Sequence, residues 1–153
     1  VFRRIKRIID WIPTLWKLYD FDYSSIYRVL RKQLQRMEPV IRNGCALSAE
    51  DTADQIHFAV VLLDRLIACD YLTNALIPHQ RKWGEMGEWI WKEIDDKFSE
   101  WLGCHYEKAD TEEKRLQAEK EFSQCGRHAD WVEERDKNLL FEYVAKHIKR
   151  WWD

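Results

Sequence analysis

Apolar residues recur at intervals of three and four through most of this chain, the spacing that a helix with one buried face requires. Phe2, Ile5, Ile8, Ile9 and Ile12 set the pattern. Tyr23, Ile26, Tyr27, Leu30, Leu34, Met37 and Ile41 repeat it, and so do Ala53, Ile56, Ala59, Val60, Leu63 and Ile67. Five Gly and three Pro in 153 residues are too few for the turns of a β-sandwich or barrel. No stretch alternates convincingly with period two. The sequence therefore predicts an all-α fold, a single helical domain over residues 1–153. Its form is a helical bundle of five or six helices with a long C-terminal helix or helix pair.

Residues 2–19 read as one short helix, or two pieces divided at Pro13. Asp22 is a suitable N-cap for the second helix, which Asn43-Gly44 ends. Ser48 with Asp51 resembles a capping box. The helix it opens carries a second apolar face of Phe58, Val61, Leu62 and Cys69, which predicts that residues 49–70 are the buried middle of the bundle. Residues 71–83, with Pro78, read as a connection. The spacing of Met86, Ile90, Ile94, Phe98 and Trp101 predicts a helix over 84–102, stopped at Gly103. Asp110 can cap the last stretch, 111–151. Its apolar stripe stays in phase across Gly126, while ordinary helix lengths favour a break near Gly126 or Asp136.

Charge is unevenly placed. Residues 1–42 carry net +6 and the remainder net −8. Arg28, Arg31, Lys32, Gln35, Arg36 and Arg42 share the side of the second helix opposite its apolar face, with Glu38 at the edge. A solvated helix mixes signs, whereas a one-sign face rich in Arg suits phosphate recognition. Either an anionic ligand meets these cations or acids of the same chain do. In the first case Arg28, Arg31, Lys32 and Arg36 contact phosphates, and Tyr27 stacks on a base. Duplex nucleic acid is not expected, because a pI of about 6.2 is far from basic.

Other chemistry has less support. Cys125-Gly-Arg-His128 is one ligand pair where a structural zinc needs four ligands, so no metal is expected. Glu85/Glu88 and Glu93/Asp96 resemble the carboxylate pairs of metal-dependent nucleotide hydrolases, yet both sit on one stretch. No nucleophile–base–orienter set is present, so the reading is non-enzymatic, with no cofactor. His57, Asp64, Asp136 and His147 stand at core-like positions and predict a buried polar network. The four widely spaced cysteines read as reduced, which fits a cytoplasmic protein. No run spans a membrane or forms a signal peptide. Residues 1–12 are basic and partly apolar but short for a membrane-surface helix, and no membrane partner is expected.

Nine tryptophans remain to be placed. Trp89, Trp131 and Trp152 project away from the apolar faces of their segments, which predicts an interface with a host protein, a ligand or a second subunit, and a homo-oligomer. The motifs Trp11-Ile12-Pro13, Trp16, Tyr19-Asp-Phe-Asp-Tyr23, Leu34-Gln-Arg-Met37 and Ile148-Lys-Arg-Trp-Trp-Asp153 make the whole chain resemble a group of small all-helical tailed-phage proteins. That resemblance implies an accessory protein in a bacterial cytoplasm, of a kind that often counters host defence. Together these readings give a protein that sequesters a small, phosphate-bearing, nucleotide-like ligand. The alternatives are a protein–protein module using exposed Trp, and a metal-dependent nucleotide hydrolase.

Overall fold

A computed structural model of the chain describes residues 2–18, 22–45, 47–95 and 98–151. The described chain is mostly helical but not purely all-α. Five helices, α1 (Phe2–Leu15), α2 (Ser24–Arg42), α3 (Ala49–Ala68), α4 (Tyr71–Trp83) and α5 (Glu112–His147), accompany two strands, β1 (Met86–Asp95) and β2 (Phe98–Tyr106). A 3₁₀ turn, Ile148–Trp151, follows α5. The residues fall into two compact units, 1–69 with 134–153, and 70–133.

In the first unit α2 packs on α3. Leu34 and Met37 of α2 are buried, as are Ala53, Ile56, Ala59, Val60 and Leu63 of α3. Leu140 and Trp151 join this core, and Trp151 Nε1 donates to Gln55 Oε1 at 3.4 Å. Asp22 holds the start of α2 by accepting from the Ser24 amide at 2.9 Å and from the Ser24 hydroxyl. Those two bonds, the hydroxyl first, hold the Asp22 carboxyl below its usual range. The α3 helix is less central than its pattern predicts: Phe58 and Val61 are exposed, and only Leu62 of the second face, which also held Cys69, is buried. Cys69 ends α3 in the left-handed region, at φ 54°. Pro13 lies inside a continuous α1.

The second unit departs most from expectation. Residues 71–83 are a helix rather than a connection, and they bury His79 and Trp83 one turn apart. The expected helix over 84–102 is an antiparallel hairpin. Its pairs include Met86 with Tyr106, Trp91 with Trp101, and Asp95 with Phe98. Aromatic and β-branched residues at 89–91, 94 and 98 favour strand. Irregularities after Met86, Ile90 and Glu93 shift the side-chain alternation, so period two is not legible. The four-residue spacing of Met86, Ile90, Ile94 and Phe98 is a coincidence that runs across the turn.

Cys104 and Tyr106 of β2 bury against Trp83 and Ala118, with Ala109 beside them. Burial pushes the Tyr106 hydroxyl up to about 12. Gly103, at φ +132°, lets β2 approach α5, since a Cβ there would lie 1.5 Å from Glu119 Oε1. The same carboxylate accepts from the Cys104 amide at 3.1 Å and from Arg115 Nη1 at 2.7 Å. The last long helix is unbroken at both Gly126 and Asp136. Thr111, not Asp110, caps its start: Thr111 Oγ1 accepts from the Lys114 amide at 3.3 Å. Asp110 takes the Lys114 ammonium instead, at 2.6 Å. No described helix is long and apolar enough to cross a membrane.

Candidate functional site

The basic side of α2 is largely met by acids of its own unit. Arg31 contacts the Asp64 carboxylate of α3. Lys32 Nζ donates to Asp10 Oδ1 at 3.1 Å, and Arg36 Nη1 lies 3.0 Å from Asp10 Oδ2, off the direction of a hydrogen bond. Arg42 Nη2 donates to Asp54 at 2.8 Å and to Glu38 at 3.3 Å. Three of the four expected phosphate contacts therefore already have counter-charges. Arg28 is held by no acid at ion-pair distance among the described residues, though its charge acts on the Asp22 carboxylate. The Arg28 Nε is buried and has no hydrogen-bond partner among the described residues. Tyr27 is 5% exposed, packed edge-on to Tyr23 and beside Phe141, so its ring cannot stack on a base. It occupies the core because it shares the apolar stripe with Leu34.

The residues expected to hold an anion border a groove of about 310 Å³ lined by Pro13, Thr14, Lys17, Arg28, Arg31, Lys32, Gln35 and Ile67. Lys17 enters it from just past α1, a residue the sequence pattern had not singled out. Only the tertiary approach of α1 to α2 brings it there.

The polar residues expected as one buried network are separate. Asp136 is fully buried and accepts from Arg135 Nη2 at 2.8 Å, while Arg65 Nη2 lies 2.7 Å away. Asp64 belongs with Arg31. His57 is exposed, 3.3 Å from Glu38. His147 leans on the Tyr143 ring, and its Nδ1 is buried without a hydrogen-bond partner among the described residues.

In the second unit a cleft of about 460 Å³ is lined by His79, Lys82, Glu121, Cys125 and His128 among others. His79 Nε2 donates to the Ala118 carbonyl at 2.9 Å. Glu121 accepts from Lys82 at 2.6 Å and from the Trp83 indole at 2.7 Å. Those bonds, the Lys82 one first, hold its carboxyl down at about 2. Cys125 and His128 share this cleft, but no group of three or more potential ligands that could hold a metal ion occurs among the described residues.

The most exposed chemistry is aromatic. Trp89, Trp91 and Trp101 of the hairpin are 53%, 59% and 47% exposed, and Ile94 and Phe98 are exposed beside them. Trp89 and Trp101 rings meet at 5.9 Å between centroids. Trp131 of α5 is exposed and stacked with His128 at 6.0 Å. Of the three tryptophans expected at an interface, Trp89 and Trp131 are thus at the surface, and Trp152 lies outside the described residues. Trp91 and Trp101 were missed because a helical reading assigns Trp101 to a core stripe and Trp91 to its flank. The unbroken run Trp89-Ile90-Trp91 was the available signal for strand. Glu85, Glu88 and Glu93 fall on or beside this hairpin, and Asp96 lies outside the described residues.

No family model matches the chain, and neither a curated protein nor a solved structure matches it.

Proposed function

We propose that this is a non-enzymatic binding protein that captures a protein partner through its tryptophan-bearing hairpin. The observation that carries the reading is the exposure of Trp89, Trp91, Trp101, Ile94 and Phe98 on one two-stranded ribbon. Exposed large aromatics gathered on one element mark interaction surfaces, and Trp is the residue most enriched among binding hot spots. Residues 85–107 carry seven Asp/Glu against two Lys, so the complementary surface is apolar with a basic rim. By the resemblance to small tailed-phage proteins, the setting is a bacterial cytoplasm, the role a counter-defence accessory and the partner a host protein. Affinity capture from a bacterial lysate tests it. The expected result is one stoichiometric partner that is lost with Trp91→Ala plus Trp101→Ala. A partner retained by that variant sinks the idea.

The sequestration of a small nucleotide-like anion is the second reading, and a specific feature favours it. Lys17 and the buried, unpartnered Nε of Arg28 face one groove between α1 and α2. Calorimetry against cyclic and linear nucleotides tests this reading. Binding abolished by Arg28→Ala plus Lys17→Ala supports it, and no binding across the panel removes it.

A further inference from the structure

Helix α1 is mounted the wrong way round for a soluble protein. Its polar side meets α2: Asp10 lies against Lys32 and Arg36, and the Arg36 guanidinium sits 5.9 Å from the centre of the Trp11 ring. Its apolar side, Phe2, Ile5, Ile8, Ile9, Ile12 and Leu15, faces away, and every one of these side chains is exposed. Trp16, 87% exposed, continues that side beyond the helix end. By helical spacing Arg4 borders the apolar side on one flank and Lys6 on the other, and both are exposed. Asp10 is the one acid in the helix sequence, and it pairs with Lys32 and Arg36 of α2 on the side away from the apolar stripe. Among the described residues of α1, the outward surface is therefore an apolar stripe edged by cations.

We propose that α1 lies flat on an anionic lipid surface, its apolar side among the acyl chains and its flanking cations at the headgroups. A helix needs no length sufficient to span for this; about 20 Å of amphipathic surface, at 1.5 Å per residue, suffices to lie in the interface. Long cationic side chains beside the stripe reach back to phosphates, and a Trp at the helix end suits the interfacial layer. Charge decides against the other ready occupant. A second copy meeting this stripe with its own would bring Arg4 and Lys6 up to a second set of cations, with no acid among the described residues of the outward side of α1 to offset them. An anionic bilayer supplies the opposite charge.

The test is co-sedimentation of the full chain with vesicles of phosphatidylcholine alone and of phosphatidylcholine mixed with phosphatidylglycerol. The chain is expected to sediment with the mixed vesicles only. Arg4→Gln and Lys6→Gln should each weaken that binding about fivefold, the effect of one cation near an anionic surface. Ile8→Glu plus Ile9→Glu should abolish it while leaving circular dichroism and the thermal transition unchanged, because both side chains are already exposed. Equal binding to both vesicle types overturns the proposal. So does an α1-dependent dimer in sedimentation with no vesicle binding, or the absence of binding altogether.

Discussion

Two glycines show how differently one residue type is used. At Gly103 the backbone stands at φ +132°, and any Cβ would collide with Glu119. Gly103→Ala is expected to cost more than about 1 kcal/mol in urea unfolding, since both backbone and neighbour oppose it. At Gly126 nothing lies within 4 Å of a Cβ, inside a helix that does not need the freedom. Gly126→Ala should therefore stabilise the protein by about 0.8–1 kcal/mol in the same measurement. Glu121 sets a pH dependence. Its carboxyl is held at about 2 in the folded chain against an ordinary value of 4.5, so its contribution is full above 4.5 and fades as pH falls toward 2. Thermal unfolding of Glu121→Gln should show a shallower loss of stability across that window than the parent chain.

At the scale of the element, what the sequence could show depended on regularity. The α2 and α3 helices were legible because their apolar residues keep one period and lie on one packed face. The hairpin was not, because three irregularities shift its alternation, and its apolar residues fall by chance at four-residue intervals. For α4, Pro78 suggested a loop, since Pro within a helix removes a hydrogen bond and crowds the preceding turn, yet the helix forms and buries His79 and Trp83. The continuity of α5 was visible as a stripe in phase, but ordinary helix lengths argued the other way. Asp136, inside that helix and fully buried, meets Arg65 and Arg135 rather than the other polar residues of the expected network. Asp136→Ala should cost about 1.5–3 kcal/mol, the weight of hydrogen bonds to a charged group, read from denaturant unfolding.

Across the whole molecule the charge asymmetry resolves into local pairings. Part of the excess of cations in residues 1–42 is met within its own unit by Asp54 and Asp64 from α3, while Asp10 of α1 pairs with Lys32 and Arg36. A sequence cannot tell a solvated one-sign helix side from one covered by a neighbouring helix, since the difference lies in the packing of α1 on α2. The same packing leaves the apolar side of α1 outward. The tryptophans followed a parallel course. Trp83 and Trp151 are core residues, whereas Trp89, Trp91 and Trp101 gather on a hairpin that helical periodicity had concealed. On the proposed reading the surface that meets the partner is the aromatic, acidic hairpin, and the basic groove at Arg28 is its rival. Photo-crosslinking in bacterial cells, with the reactive amino acid placed at position 91 or at position 28, separates them most directly. A discrete protein adduct from position 91 and none from position 28 is the expected result. No adduct from position 91 would contradict a hairpin built to capture a protein.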